Sequence, residues 1–209
     1  MSPLYSADEF RRRVMDDVAT PDIAAWRKHG DYLLNPGLHD LVSALDLNDA
    51  AVLVPVVDDG PDAKVIFTQR AMQMRKHSGQ IAFPGGRRDP EDISAEMAAV
   101  REAEEEIGLE KSFVDVIGRL PDYPTPSGFL ITPVLAVVRR GFSITPNPAE
   151  VDAVFEVPLS FLMDPENHHL ESRVWKESER HYYVMPYGER RIWGITAGIV
   201  RTLYERLYA

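Results

Sequence analysis

The hydrophobic pattern at the start of the chain is typical of a helix. Phe10, Val14 and Val18 recur every four positions, so they lie on one face of a helix. Ser6 stands three residues before Glu9, which is the spacing of a helix capping box. We therefore expect helical segments over the first 45 or so residues, before the pattern changes.

From position 50 the pattern is typical of strands. The runs AAVLVPVV (residues 50–57) and AKVIFTQR (63–70) flank the turn-forming sequence DGPD, so they predict a β-hairpin. Further apolar runs predict a set of short strands. These strands are expected at residues 80–83, 113–117, 130–138 and 154–157, and at 173–176 and 182–185 as a hairpin whose turn is at 177–180.

Two later segments have helical spacing. Residues 95–107 are rich in Ala and Glu and are followed by Gly108, and residues 196–207 close the chain with apolar positions on one face. A few helices packed on a mixed sheet make an α+β fold. We expect an N-terminal helical extension over residues 1–47 and a domain over residues 48–209.

Composition and charge exclude several classes of protein. Of the 209 residues, 44% are hydrophobic and 27% are charged, as in a folded globular domain. The net charge of −10 opposes binding to nucleic acids and anionic membranes. The absence of cysteine excludes disulfides, thiolate metal sites and a thiol nucleophile. No apolar run is long enough to cross a bilayer, so we expect a cytoplasmic protein without nucleic-acid or membrane partners.

The sharpest chemical feature is an acidic segment. Nine Asp and Glu residues lie between Asp89 and Glu110, against a single cation. Glu102, Glu105 and Glu106 share one face of the helix predicted there, so three carboxylates converge on one edge. Such a cluster is either a solvated acidic face or a site for Mg²⁺ or Mn²⁺, which prefer oxygen ligands.

The preceding segment is basic and favours the metal site. Residues 64–88 contain no acid and carry six Lys or Arg residues. The sequence Phe83-Pro84-Gly85-Gly86 lies between the two charged blocks, and its glycines let the backbone approach a ligand closely. Basic, glycine-containing and acidic segments in this order predict a site for a phosphorylated substrate bridged to the protein by metal ions.

Residues 101–109, REAEEEIGL, resemble the second half of the Nudix box, R-E-U-x-E-E-x-G-U with U aliphatic, at every specified position. The first half departs from the usual box, because Arg87 and Ile93 stand where Gly and Glu are expected. Gly86 and Asp92 would fill those places in a loop one residue longer. That lengthening resembles the coenzyme A pyrophosphatase branch of the family.

The upstream motif of that branch, L-L-T-x-R-[S/A]-x3-R-x3-G-x3-F-P-G-G, is also similar to this chain. Here Ile66 and Phe67 replace the two leucines, and the other specified positions match. The resemblance implies a Nudix fold, with a mixed sheet sandwiched between helices, and hydrolysis of the coenzyme A pyrophosphate to 3′,5′-ADP and 4′-phosphopantetheine. It implies substrate contacts at Arg70, Arg75, Gly79, Phe83, Gly85 and Gly86.

The resemblance also implies roles in catalysis. Glu102, Glu105 and Glu106 would hold Mg²⁺ or Mn²⁺ together with a Gly-Gly carbonyl, from Gly85 or Gly86. Arg101 would orient this carboxylate set, with Asp92 as its partner. The catalytic base would be Glu102 or, from a later loop, Glu150.

Two other functions stay open on the sequence. The first is a Nudix pyrophosphatase for another small nucleotide, such as ADP-ribose, NADH or a dinucleotide. The second is a non-catalytic nucleotide-binding module of the same fold. The family also suggests a homodimer.

Overall fold

In the computed structural model, residues 2–17, 33–35, 37–74, 77–175 and 178–209 are described. The helices are α1 (Ala7–Asp17), α2 (Leu38–Ser43), α3 (Ala95–Ile107), α4 (Leu159–Leu162) and α5 (Ile195–Leu207). The strands are β1 (Asn48–Val57), β2 (Lys64–Arg70), β3 (Ile81–Ala82), β4 (Gly85–Arg87), β5 (Val114–Arg119), β6 (Tyr123–Pro124), β7 (Phe129–Val138), β8 (Val151–Pro158), β9 (His169–Trp175), β10 (Ser178–Tyr187) and β11 (Arg190–Trp193). Short 3-10 helices lie at Lys111–Phe113 and Pro165–Asn167.

A mixed sheet of eight strands forms the centre of the fold. Its main path runs β3-β2-β1-β7-β5, with β4 also pairing β1, β6 pairing β7 and β8 pairing β2. The pairing of β1 with β7 is parallel over ten residue pairs, whereas the other pairings are antiparallel. The hairpin predicted between the first two strands is confirmed, since Val56 lies opposite Val65.

Helices cover both faces of this sheet, which confirms the predicted α+β class. On one face α3 packs through small residues, because Ala98, Ala99 and Ala103 are fully buried against the alternate side chains of β1 and β7. On the other face the core is built from larger side chains, which include Phe10 of α1 and Leu203 of α5. The close approach of α3 to the sheet positions the acidic segment beside β1 and β4.

The helix predicted at the N-terminus is confirmed as α1. The Ser6 hydroxyl accepts a hydrogen bond from the Glu9 amide at 3.3 Å, as the capping box predicts, while the Glu9 carboxylate binds Arg12 and Arg13. Phe10 is fully buried in the same core as α5, and Arg206 of α5 binds Asp17 at 2.8 Å. The extension helix is therefore packed on the rest of the fold.

A second, antiparallel sheet has the order β11-β10-β9. The hairpin predicted at its start is longer than expected, since β9 and β10 pair from His169 opposite Val184 to Trp175 opposite Ser178. The turn predicted at 177–180 is wrong for residues 178–180. These residues belong to β10, because the pairing between β9 and β10 continues through them although they are polar. Across the described residues, no helix has both the length and the apolar character needed to cross a membrane.

Candidate active site

The two glycines between the basic and acidic segments lie in a strand, which the sequence did not predict. In β4, Gly85 and Gly86 pair with Val52 and Ala51 of β1. Gly85 has φ +155°, and a Cβ atom there would lie 2.4 Å from the Ala51 carbonyl oxygen. Only glycine fits this close approach. The pairing with β1 holds β4 beneath α3.

The second glycine makes room for a carboxylate. A Cβ atom on Gly86 would lie 2.5 Å from Oε2 of Glu102, so any larger residue would displace this side chain. The Glu102 carboxylate is therefore packed directly on the β4 backbone. Burial raises its pKa, an effect that Arg101 opposes and that Glu105 and Glu150 increase.

Glu106 is a buried carboxylate of the acidic segment. It is 3% exposed, its Oε2 accepts a hydrogen bond from the Gly85 amide at 3.1 Å, and its Oε1 lies 3.7 Å from Nη1 of Arg70. Burial raises the pKa of Glu106 to about 7, against the opposing effects of the Gly85 amide and Arg70. The negative charges of Glu102 and Glu150 contribute to this raised pKa. The positive charge of Arg70 is thus too small to offset the burial of Glu106.

Arg101 organises the outer part of the acidic segment. Its Nε and Nη2 donate to the two Asp92 carboxylate oxygens at 3.2 and 2.8 Å, so the predicted pairing with Asp92 is confirmed. Its Nη1 donates to Glu102 and to Glu105, each at 2.9 Å. Glu105 is exposed, and its carboxylate lies against this guanidinium.

The loop that carries Glu150 is fixed over the end of α3. The Asn147 amide donates to the Glu106 carbonyl, and the Ala71 amide donates to the Glu150 carbonyl, both at 2.8 Å. Glu150 is half-buried and lies close enough to raise the pKa of both Glu102 and Glu106. The structure therefore brings this loop residue to the same site as the helix carboxylates.

The sequence did not identify Asp152 as part of this arrangement. Its Oδ2 accepts a hydrogen bond from the Met72 amide at 2.9 Å, and Gln73 donates to the Pro148 carbonyl at 3.0 Å. These contacts fasten the segment after β2 to the Glu150 loop. An exposed acid two residues beyond Glu150 carries no sequence signal for this role.

The residues predicted to contact substrate have different surroundings. Arg70 lies at the end of β2, and its Nε is buried without a hydrogen-bond partner among the described residues. Gly79 has φ +70° and donates its amide to the Arg70 carbonyl at 3.0 Å. Phe83 is buried and stacks on Phe67 with ring centroids 4.8 Å apart, so it packs the core beneath the site. Arg75 lies outside the described residues.

The donor groups fit a hard divalent cation. Glu102, Glu106 and the backbone carbonyl of Gly86 offer oxygen ligands, and burial of two like charges leaves a deficit of positive charge that such an ion would supply. In the described part of the chain, however, no three Asp, Glu or His side chains are gathered closely enough to hold an ion. Arg101 binds the Glu105 carboxylate and so contributes to the separation of the carboxylates.

Comparison with known proteins gives close relatives over most of the chain. A model of the NUDIX domain matches residues 47–179. An uncharacterized Nudix hydrolase NudL of Escherichia coli strain K12 is 38% identical over 172 residues, which cover 82% of this chain and 88% of the relative. The NudL protein of Cronobacter sakazakii is 41% identical over 172 residues, which cover 77% of this chain and 83% of the relative.

Comparison with solved structures gives matches over about half of the chain. An Ap4A hydrolase of C. elegans in a binary complex matches with a TM-score of 0.45 and 20% identity, covering 55% of this chain and 82% of that protein. The Nudix hydrolase RenU of M. smegmatis matches with a TM-score of 0.44 and 27% identity, covering 53% of this chain and 70% of that protein.

Proposed function

The chain belongs to the Nudix family, and on that premise we propose that it hydrolyses the pyrophosphate bond of coenzyme A or its derivatives. The products would be 3′,5′-ADP and 4′-phosphopantetheine, or its acyl form. One observation carries the proposal. Arg70 of the upstream motif lies 3.7 Å from Glu106 of the downstream motif, so the two motifs meet at one place in the fold.

Mg²⁺ or Mn²⁺ would be held by Glu102, Glu105, Glu106 and the Gly86 carbonyl, and would supply positive charge that offsets the charge on the pyrophosphate oxygens. Arg101 positions Glu102 through a hydrogen bond of 2.9 Å, and its two bonds to Asp92 fix the guanidinium itself. Glu102 is thus oriented before substrate binds. Glu105 would act as a ligand only after leaving its ion pair with Arg101.

Arg70 is the substrate-binding cation on the described residues. Its unpaired, buried Nε and its guanidinium near Glu106 give the anionic substrate a donor at the metal site. Gly79 supports this placement, because its amide bonds the Arg70 carbonyl. By the motif, Arg75 would bind a second phosphate of the same substrate.

We assign the catalytic base to Glu150. The Glu102 carboxylate is already engaged by Arg101, whereas the Glu150 carboxylate has no hydrogen-bond partner among the described residues. Glu150 would take the proton from the attacking water. The Glu150→Gln variant is expected to lose most of kcat while it binds Mn²⁺ as the original chain does. Unchanged turnover in Glu150→Gln would transfer the role to Glu102.

Product analysis tests the proposal directly. Purified protein is incubated with coenzyme A and Mg²⁺ or Mn²⁺, with and without a chelator, and the products are separated by chromatography and identified by mass. We expect 3′,5′-ADP and 4′-phosphopantetheine in the presence of the metal and neither with the chelator.

ADP-ribose, NADH and dinucleotides are tested in parallel at equal concentration. Faster hydrolysis of one of these than of coenzyme A would replace the proposed substrate. The lack of turnover with every compound would favour a non-catalytic nucleotide-binding module.

A further inference from the structure

Strand β9 is an open edge of the second sheet. In the order β11-β10-β9 it pairs with β10 on one side, and no other strand of the described chain pairs with it. Residues 169–174 are all exposed. An exposed edge presents a row of backbone amide and carbonyl groups that can pair with another strand. Edge strands without a partner are usually protected by charge or by a covering element.

Two aliphatic side chains make this edge unusual. Leu170 is 58% exposed and Val174 is 70% exposed. They lie four residues apart on the same face of β9, with Ser172 between them, because side chains alternate along a strand. Glu171 and Arg173 occupy the opposite face. The edge therefore has one apolar face and one face with a single charge of each sign.

We propose that β9 pairs with β9 of a second copy of this chain, antiparallel and about a two-fold axis at Ser172. In that register Leu170 faces Val174 of the second copy, and Glu171 faces Arg173 of the second copy. Each pair occurs twice because of the symmetry. The two three-stranded sheets would join into a single sheet of six strands.

The sequence of β9 selects this register over its neighbours. An axis at Glu171 would place two Glu side chains directly opposite each other, and an axis at Arg173 would place two Arg side chains opposite each other. Like charges in directly opposed positions destabilise a strand pair, whereas opposite charges and aliphatic pairs stabilise it. Among the three central registers, the one about Ser172 alone pairs opposite charges.

The pairing within the sheet gives a further reason for a partner. Arg173 lies directly opposite Arg180 of β10, so two cations share one cross-strand position. No carboxylate of the described residues forms an ion pair with Arg173. Glu171 of a second copy would bring a negative charge beside Arg173. Glu171 itself forms an ion pair with Arg191 of its own chain.

Sedimentation of the full chain from micromolar to millimolar concentrations tests the proposal. A strand of this length buries less surface than a standard interface, so we expect a monomer–dimer equilibrium that shifts to dimer at high concentration. Arg173→Glu and Glu171→Arg should each weaken self-association about tenfold, because each creates like-charge pairs across the axis. Glu189 is an exposed residue in the turn before β11. The charge reversal Glu189→Arg is therefore the matched control and should leave self-association unchanged.

Mixing the two variants separates a local charge effect from misfolding. A strand with Glu at both positions is complementary to a strand with Arg at both positions. An equimolar mixture of Arg173→Glu and Glu171→Arg should therefore form heterodimers, although neither variant associates well alone. Failure of the mixture to associate, with both variants folded by circular dichroism, would overturn the proposal.

The absence of cysteine from the chain provides a positional test. Residues that face each other across an antiparallel pair have Cα atoms within the range that a disulfide spans. Ser172→Cys should form a covalent dimer under mild oxidation, and Glu189→Cys should not. A wild-type chain that stays monomeric at millimolar concentration would refute the interface. Equal cross-linking of the two cysteine variants would also refute it. A dimer that every charge variant leaves unchanged would refute it as well, because it would show another mode of association.

Discussion

Asp92 and Glu106 are buried almost equally, at 5% and 3% exposure, yet their surroundings shift their pKa values in opposite directions. Two hydrogen bonds from Arg101 hold the pKa of Asp92 below its usual value. Glu106 has one backbone amide and a more distant guanidinium, so burial raises its pKa to about 7. The contacts of Asp92 therefore stabilise its negative charge, whereas those of Glu106 do not offset the cost of burying its charge.

This difference divides the acidic segment into two parts. The outer part, with Asp92, Arg101 and Glu105, is an ion-pair network in which one guanidinium binds both carboxylates. The inner part, with Glu102 and Glu106, faces the glycine strand β4 and keeps an excess of negative charge. A buried charge without a partner costs stability, so such a feature persists when function requires it. The comparison therefore assigns a structural role to the pair of Asp92 and Arg101 and a chemical role to Glu102 and Glu106.

The largest expected effect is on catalysis at the inner part. Glu106→Gln keeps the size of the side chain but removes the charge that would hold the divalent cation. We expect metal-dependent turnover of coenzyme A to fall by about a thousandfold or more. Steady-state kinetics at saturating Mg²⁺ measures this. Glu104→Gln, an exposed neighbour on the same helix, is the matched control and should retain normal turnover.

The same variant should not destabilise the metal-free protein. The pKa of Glu106 is raised in the folded state, so its charged form opposes folding, and this cost is complete once the pH exceeds about 7. Glu106→Gln should therefore be more stable than the original chain at alkaline pH, by roughly 1–2 kcal/mol. Urea denaturation with a chelator present measures this. A marked loss of stability would contradict the division into two parts.

The next largest effect is on stability at the outer part. Arg101→Ala would remove two of the hydrogen bonds of the buried Asp92 carboxylate and leave it the one from the Asp89 amide. We expect the free energy of unfolding to fall by about 3 kcal/mol. Because the unpaired charge is the cause, the double variant Arg101→Ala with Asp92→Ala should lose less than this. A double variant that is less stable than Arg101→Ala would show that the pair itself is not the source of the effect.

Much of the scaffold was predictable from local patterns. The predicted helix over residues 95–107 is α3, because Ser94 caps its first turn through the Met97 amide and Gly108 ends it with φ +69°. The α+β class and the Nudix fold are confirmed. The pairing of Arg101 with Asp92 was also predictable, since the lengthened loop leaves one acid at the right place in the motif.

The geometry of the site was not predictable in the same way. The strand β4 was missed because glycine has a low strand propensity and its pairing partner in β1 lies more than thirty residues away. Without β4, the sequence could not show that Glu102 and Glu106 are packed on the strand while Glu105 turns to Arg101. Helical spacing predicts that Glu102, Glu105 and Glu106 are equivalent. Only their contacts with β4 and with Arg101 distinguish them.

A smaller effect is expected in the pH dependence of metal binding. The proton on Glu106 must leave before a cation binds, and its pKa is about 7. The affinity for Mn²⁺ should therefore be constant above that pH and fall about tenfold for each unit below it. Asp92 should not contribute to the pH dependence of Mn²⁺ binding near neutral pH, because its pKa is lowered. Calorimetric titration at several pH values measures the profile. An affinity that does not change between about pH 6 and about pH 8 would contradict the raised pKa.

The smallest effect is expected at Glu105, the exposed member of the outer part. Its ion pair with Arg101 is accessible to water, and Arg101 keeps its bonds to Asp92 and Glu102 when Glu105 is replaced. Glu105→Gln should change the free energy of unfolding by less than about 0.5 kcal/mol. As a proposed metal ligand that is already solvated, it should weaken Mn²⁺ binding by roughly tenfold, less than Glu106→Gln does. A loss of stability as large as that of Arg101→Ala would mean that Glu105, rather than Asp92, anchors the guanidinium.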